Sequence, residues 1–130
     1  MTQRSSSGSA FERDFAYSRA VEEDRWIFVS GTTGFDYKTM TISDDVVEQC
    51  EQCFRNIAAA LAPFGGARLD SVVRVRYIVA RREDFARCAP VIKKYLGQAR
   101  PAATMIVAGL LEERIRIEIE VTARRGEHPS

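Results

Sequence analysis

The chain has 130 residues, 45% of them hydrophobic and 28% charged, and its formal net charge is +1. This length and composition predict one globular domain with a single hydrophobic core. The near-neutral charge argues against binding to nucleic acid or to a membrane surface. No apolar stretch approaches the roughly 18 residues of a transmembrane helix, so we expect no membrane span.

The two ends of the chain and its cysteines set further limits. Residues 1–10 (MTQRSSSGSA) are polar and predict a flexible lead-in rather than a signal peptide, before one domain over residues 11–126 and a tail over 127–130. Three cysteines, an odd number, argue against a disulfide framework and favour a reducing cytoplasm. The only histidine, His128, lies near the C-terminus, which excludes most Ser-His-Asp and Cys-His schemes and most zinc sites. We therefore expect no metal.

The first half of the chain predicts two strands and a helix. Residues 15–22 and 25–30 alternate or are rich in β-branched and aromatic side chains, and both predict strands; residues 40–42 predict a short extended piece. A helix is expected to begin near Ser43 and to end before Pro63. Its apolar residues recur in steps of three and four, as on one face of an amphipathic helix: Val46, Val47, Cys50, Cys53, Phe54, Ile57, Ala58 and Leu61. Its C-x-x-C motif falls on this face, so the two thiols predict core packing rather than a redox site.

The second half predicts three more strands and a second helix. Strands are expected over residues 72–79, 104–110 and 114–124, the last with near-strict alternation of isoleucine or valine with polar residues. A helix is expected over residues 84–96, with a loose first turn because Pro90 lies inside it. The order β-β-α-β-α-β-β predicts an α+β domain in which two helices cover one face of one mixed sheet.

The other face of this sheet combines apolar and charged side chains. It is expected to carry Ile78 together with the charged residues Arg74, Arg76, Arg116, Glu118 and Glu120. Such a face suits a subunit interface in which opposite charges on neighbouring strands pair. It equally suits solvated cross-strand ion pairs that each contribute little. The strands alone leave both interpretations open.

Three stretches resemble one protein family. They are FAYSRAV over residues 15–21, VSGTTGFD over 29–36 and RPAATMIVAGLLEERIRIEIEVTA over 100–123. Together they resemble the YjgF/RidA/L-PSP family of small homotrimeric proteins, whose best-understood members hydrolyse reactive enamines and imines. The resemblance implies a fold like that of the trimeric-barrel chorismate mutases and a small-molecule cleft between neighbouring subunits. It also implies a reaction without metal or cofactor.

The resemblance assigns roles to individual residues. It implies that Glu120 on the last strand orients water for attack on the C=N carbon. It implies that Tyr17 and Gly31 line the cleft. In deaminating members an arginine grips the substrate carboxylate through a two-pronged contact.

The position of that arginine is occupied by Ala103, which is followed by Thr104. The asparagine common in the family's second helix falls at Ala89. Three arginines are candidates to replace the missing one: Arg100, Arg74 and Arg76. The alternative is that the cleft has become roomier, more apolar and less selective for acids.

Three functions follow from this resemblance. The first is a cofactor-independent hydrolase of an imine, an enamine or a related reactive metabolite, weak or inactive on 2-imino acids because of Ala103. The second is a non-catalytic homotrimer that binds a small ligand in the same cleft. The third, an endoribonuclease or translation inhibitor, finds little support because the chain has no basic stripe with interleaved aromatic residues.

Overall fold

The computed structural model describes residues 2–125, which form a mixed six-stranded sheet with helices against one face. The strands are β1 (Gln3–Ser5), β2 (Ala20–Glu23), β3 (Trp26–Thr33), β4 (Phe35–Asp36), β5 (Thr41–Ile42), β6 (Val72–Val79), β7 (Ala102–Val107) and β8 (Ile117–Arg124). The helices are α1 (Ala10–Phe15), α2 (Val46–Leu61), α3 (Arg82–Arg87) and α4 (Ala89–Leu96). The sheet has the order β1-β2-β3-β8-β6-β7; β6 and β7 run parallel and the other neighbours antiparallel. The expected α+β class with a mixed sheet is confirmed.

Helix α2 is the central element of the helical layer. Asp45 caps its N-terminus by accepting a hydrogen bond from the backbone N–H of Val47 at 3.2 Å. Most of the predicted apolar face is buried against the sheet, but Ala58 is exposed, and Gln49 and Ala60 are buried although neither was expected on that face. Cys50 and Cys53 are fully buried on that face, which confirms that the C-x-x-C motif packs in the core.

The second predicted helix is two helices. Helices α3 and α4 meet at Cys88, and Pro90 lies in the first turn of α4. Proline lacks a backbone N–H and clashes with the preceding turn, so one continuous helix cannot pass through this point.

Strand alternation separates the two faces of the sheet. In β8 the apolar residues all point toward the helices: Ile117, Ile119, Val121 and Ala123. In β6 the register shifts between Val72 and Arg74, so Val72 is buried and Val73 is exposed. Strict alternation from Val75 and Val79 would place Val73 on the buried face, but the irregularity between Val72 and Arg74 moves it to the exposed one.

The N-terminal part departs from the sequence-based expectation. Residues 1–10 were expected to form a flexible lead-in, but β1 pairs with β2 at the edge of the sheet. A strand was expected over residues 15–22, but α1 ends at Phe15 and β2 begins only at Ala20. Ser9 caps α1 by accepting a hydrogen bond from Phe11 N, and Ala16 ends it in the left-handed region at φ 58°.

Two C-terminal boundaries also differ from the expected ones. Strand β7 ends at Val107 rather than residue 110, and β8 begins at Ile117 rather than residue 114. Arg116, expected among the charges of the open face, instead turns toward α3. Its Nη2 atom lies 3.0 Å from Oδ1 of the buried Asp84. Arg116 precedes β8, and its backbone N–H donates to Gln49 of α2 rather than to a neighbouring strand.

None of the helices within residues 2–125 is long and apolar enough to cross a membrane. Cys50, Cys53 and Cys88 are free and buried. The cytoplasmic location expected from the cysteine content stays a prediction. His128 and the expected tail over residues 127–130 lie outside the described residues.

Candidate functional site

The site is built on a bulge in β3. The register with β8 shifts between Val29 and Thr32, so that two residues, Ser30 and Gly31, lie opposite the single residue Glu120. Two residues opposed to one form a β-bulge, which bends the strand and redirects its side chains. The bulge lies at the centre of the sheet, on the strand next to the two glutamates of β8.

Gly31 provides the space that the Glu118 carboxylate occupies. A Cβ atom at position 31 would overlap Oε2 of Glu118. The φ angle of Gly31 is not positive, so this position requires space rather than an unusual backbone conformation. The carboxylate of Glu118 therefore packs directly on the bulged backbone.

The environment of Glu118 changes its acidity. Burial raises the pKa of its carboxyl group; the positive charge of Arg19 acts in the opposite direction, and the nearby Glu120 adds to the increase. A carboxyl group with a raised pKa can donate and accept a proton closer to neutral pH than an exposed one. Glu118 is therefore a candidate for a general acid and base.

A cavity of about 390 Å³ opens in front of this carboxyl group. Tyr17 and Leu111, both exposed, lie at its edge, and Glu118 and Glu120 form part of its lining. Tyr37 forms another wall. The cavity thus combines two carboxyl groups with apolar and aromatic surface, and its volume suits a small molecule.

Tyr37 and Thr33 form the polar part of the wall. The backbone N–H of Thr33 donates to the Tyr37 hydroxyl at 2.8 Å, and the Thr33 hydroxyl lies 3.1 Å from it. Burial raises the pKa of the Tyr37 phenol. A phenol with a raised pKa stays neutral near pH 7, and these two hydrogen bonds fix the position of its hydroxyl.

Arg19 lies behind the bulge and is 2% exposed. Its Nε atom donates to Glu12 at 3.1 Å, and its Nη1 atom donates to the carbonyl oxygen of Gly31 at 2.8 Å. Its guanidinium also lies 4.7 Å from the centre of the Tyr37 ring. A buried cation with a charged partner therefore touches both the bulge and the cavity wall.

Glu120 has a more open environment than Glu118. Its Oε1 atom lies 3.8 Å from Nη1 of Arg76 on β6, and the two side chains are 46% and 42% exposed. An ion pair this exposed and this long contributes little to stability. The Glu120 carboxylate therefore remains accessible from the cavity, and the positive charge of Arg76 offsets part of its negative charge.

All the sequence-predicted site residues except Thr104 fall into two groups. Tyr17, Gly31 and Glu120 line the same cavity, on the sheet face opposite the helices. Arg100 and Ala103 instead line an apolar groove of about 280 Å³ between β7 and α4.

Thr104 lies in neither the cavity nor the groove. It pairs in register with Arg76 and points to the open face, whereas Ala103 points to the other face. One chain therefore does not bring all the predicted residues together.

Sequence reasoning missed several residues of the site, among them Glu118, Arg19 and Tyr37. Glu118 is on the same face as Glu120 by alternation, so the pattern did hold a signal for it. Arg19 belongs to the FAYSRAV stretch, but nothing in its spacing indicates burial. Within residues 2–125 there is no group of three or more histidine, cysteine or acidic side chains that could hold a metal ion.

Comparison with known proteins adds to this geometry. The family model described as Endoribonuclease L-PSP matches residues 8–125. A 2-iminobutanoate/2-iminopropanoate deaminase of Mus musculus is 31% identical over 111 residues, which are 85% of this chain and 82% of the mouse protein.

Solved structures agree with these sequence matches. The crystal structure of Rv2704 from Mycobacterium tuberculosis, a member of the YjgF/YER057c/UK114 family, is similar with a TM-score of 0.85 and 33% identity, over 95% of this chain and 99% of that chain. RidA from an Antarctic Psychrobacter species matches with a TM-score of 0.77 and 30% identity, over 83% and 87% of the two chains. The matched model, the relatives and the fold show that the chain belongs to the YjgF/RidA/L-PSP family.

Proposed function

We propose that this protein hydrolyses a small imine, enamine or related reactive metabolite, with Glu118 as the general acid and base. One observation carries the proposal: a half-buried carboxyl group with a raised pKa faces a cavity of small-molecule size. The mouse relative is named as a deaminase of 2-iminobutanoate and 2-iminopropanoate, which supports this class of reaction.

The reaction needs one group that exchanges protons at successive steps. The Glu118 carboxylic acid protonates the imine nitrogen, and the resulting carboxylate accepts a proton from water as the water oxygen bonds to the carbon. The acid then protonates the amine of this carbinolamine. The C–N bond breaks, ammonia leaves, and the hydroxyl proton returns to Glu118 as the carbonyl forms. Imine and water are thus converted to a carbonyl compound and ammonia, and Glu118 ends as it began.

This proposal gives Glu118 the catalytic role that the family resemblance implied for Glu120. Glu118 supports that role better because it packs on Gly31 in a more buried position. Glu120 is half exposed and paired with Arg76. In the proposal Glu120 contributes charge to the cavity and is not the proton donor.

The proposal includes a homotrimer. The Glu118 cavity and the groove of Arg100 and Ala103 lie on opposite faces of the sheet of one chain. A site that combines them therefore needs the groove of a second copy. Exposed apolar side chains on the open face, Phe28 and Ile106 among them, support burial against other copies.

Ala103 is proposed to make the protein weak on 2-imino acids. A hydrogen-bonded ion pair contributes about 1.5–3 kcal/mol, which corresponds to roughly tenfold to over a hundredfold in affinity. Alanine supplies none of this to a substrate carboxylate. The groove beside Ala103 is lined by Val75, Leu96 and Met105, which suits an apolar substituent.

The proposal is tested by measuring ammonia release from freshly generated 2-iminopropanoate and from an uncharged imine of similar size. We expect turnover of the uncharged imine by the wild type and a loss of about a hundredfold or more in Glu118→Gln. Its matched control, Glu120→Gln, should stay within a few-fold of the wild type. Ala103→Arg should increase turnover of 2-iminopropanoate. Full activity of Glu118→Gln on every imine would contradict the proposed role.

A non-catalytic ligand-binding trimer is the second candidate. The observation that favours it is the ion pair of Glu120 with Arg76, because one of the two cavity carboxylates is then engaged with a side chain of the protein itself. This function predicts that small imines or their carbonyl products raise the thermal unfolding midpoint without any ammonia release. Turnover that disappears in Glu118→Gln would exclude it.

A further inference from the structure

A fully buried guanidinium on Arg19 needs an explanation beyond chain packing. Arginine is almost never buried unless it is paired, and Arg19 is 2% exposed. Its ion pair with Glu12 uses the Nε atom. The two Nη atoms point the other way, toward the bulge and Tyr17.

We infer that Arg19 is a positioning residue for Glu118: it locks the bulge of β3 on which the Glu118 carboxylate packs. The inference deepens the proposed function, since it rests on the proposed role of Glu118. The first test measures only the pKa of Glu118, so the inference can be judged separately from turnover.

The hydrogen bonds of Arg19 reach both residues of the bulge. Nη1 donates to the carbonyl oxygen of Gly31 at 2.8 Å and to the hydroxyl of Thr32 at 3.1 Å. The Thr32 hydroxyl in turn donates to the carbonyl oxygen of Ser30 at 2.7 Å. The Ser30 N–H donates to the carbonyl oxygen of Arg19 at 2.9 Å. Arg19 therefore pairs with the Gly31 carbonyl and the Ser30 N–H of the bulge, and Thr32, which Arg19 holds, pairs with the Ser30 carbonyl.

The guanidinium is itself held from several directions. Glu12 accepts from it, and the backbone N–H of Ser7 and the hydroxyl of Ser6 donate to Glu12 at 3.1 and 3.0 Å. The ring of Tyr37 lies against one face of the guanidinium. A lysine would keep the charge but would lack the planar set of donors that bridges Glu12 and Gly31.

Arg19 also carries the positive charge that acts on Glu118. The other titratable groups around Glu118 are Glu120 on its own strand and the phenols of Tyr17 and Tyr37 in the cavity, with Cys53 of α2 on the opposite side of the sheet. Glu120 favours the protonated form of Glu118, whereas Arg19 favours the ionised form. Removing Arg19 would therefore loosen the bulge and also raise the pKa of Glu118.

The test is a titration of the Glu118 side-chain carboxyl carbon by NMR, with the signal assigned through Glu118→Gln. In Arg19→Gln we expect the pKa of Glu118 to be higher than in the wild type. The matched control is Glu12→Gln, which breaks the same buried ion pair but keeps the guanidinium. It should lower the thermal midpoint without raising the pKa of Glu118. An unchanged pKa in folded Arg19→Gln would overturn the inference, because a purely structural role predicts loss of stability alone.

A second measurement needs no change at Arg19. In the wild type, the side-chain ¹⁵N signals of Arg19 should shift with the same midpoint as the Glu118 carboxyl carbon, and this shift should be absent in Glu118→Gln. Arg19 signals that do not respond to the titration of Glu118 would overturn the inference even if Arg19→Gln fails to fold. If these results hold while Glu118→Gln keeps full turnover, the proposed function fails and the positioning role stands.

Discussion

At the scale of single residues, Glu118 should make stability depend on pH. Its folded-state pKa is raised by burial above the ordinary value of 4.5, so the folded protein binds more protons than the unfolded chain between those two pKa values. The stabilising contribution of the protonated carboxyl is complete below pH 4.5 and is lost as pH rises through the folded-state pKa. Above the folded-state pKa, the ionised Glu118 therefore costs stability.

Replacing this carboxyl group with a neutral one should remove that cost. We expect Glu118→Gln to have a higher free energy of unfolding than the wild type at pH 7, with the difference shrinking as pH falls toward 4.5. Urea unfolding at several pH values measures it, with Glu120→Gln as the control for loss of a half-exposed carboxylate at the same face. A difference that does not vary with pH would show that Glu118 has the same pKa in the folded and in the unfolded protein.

Two glycines near the site should respond differently to alanine. At Gly31 the new methyl group meets only the flexible end of the Glu118 side chain, which can rotate away. At Gly34 it would lie 2.6 Å from the backbone Cα of Gln49, which cannot. We expect Gly31→Ala to change the free energy of unfolding by less than about 1 kcal/mol and Gly34→Ala to lower it by about 1–3 kcal/mol.

Their effects on Glu118 should be the reverse of their effects on stability. Gly31→Ala should move the carboxyl group out of its packed position and return its pKa toward the ordinary value, with loss of ammonia release. Chemical denaturation and the NMR titration of Glu118 measure the two effects. A Gly31→Ala variant with unchanged turnover would contradict the proposed packing of Glu118 on the bulge.

At the scale of elements, Gln49 joins α2 to the chain that enters β8. Its Nε2 atom donates to the carbonyl oxygens of Ser43 and Arg114 at 2.7 and 2.8 Å, and its Oε1 atom accepts from the N–H of Arg116 at 2.9 Å. The side chain is fully buried. Gln49 therefore holds Arg116, the residue directly before β8 and two residues before Glu118.

Removing these hydrogen bonds should be costly. Gln49→Leu keeps much of the volume but leaves buried backbone groups without partners, and each such group costs about 1–3 kcal/mol. We expect a loss of about 3 kcal/mol or more in the free energy of unfolding, against less than about 0.5 kcal/mol for the exposed neighbour Glu48→Ala. Denaturant unfolding of both variants checks this, and a Gln49→Leu variant as stable as Glu48→Ala would contradict it.

The elements with strong local patterns were predictable from the sequence. The three- and four-residue spacing of α2 and the alternation of β8 are repeated over many residues, so packing against the sheet agrees with local preference. Helix α1 was missed because its six residues, AFERDF, offer too few turns to show a period. Strand β1 was missed because its three polar residues are held by pairing with β2 rather than by burial.

The candidate site was predictable only in part. Alternation puts Glu118 and Glu120 on one face, yet their environments differ because the β3 bulge and Arg19 approach only Glu118 closely. Both features depend on contacts between residues distant in sequence, such as Arg19 with Gly31. No local pattern separates the two glutamates, so family resemblance alone directed attention to Glu120.

At the scale of the whole molecule, the open face of the sheet has features of an interface. Trp26 and Phe28 on β3 and Ile106 on β7 are 38%, 49% and 39% exposed, beside the pair of Glu120 with Arg76. Every residue of the edge strand β7 is exposed. Exposed apolar side chains on a sheet face beside an uncovered edge strand normally become buried by association.

Phe28 offers the most direct test of the proposed trimer. Phe28→Glu should leave the fold intact, because the side chain points away from the core, but it would bury three uncompensated charges in the assembly. We expect the wild type to have about three times the 14.6 kDa mass of one chain by light scattering, and Phe28→Glu to approach the mass of one chain. Ala58→Glu adds the same charge on the exposed side of α2 and should remain trimeric.

If the Glu118 cavity needs the groove of a second copy, Phe28→Glu should also lose ammonia release while its circular dichroism stays that of the wild type. A monomeric, fully active Phe28→Glu would show that one chain holds the whole site.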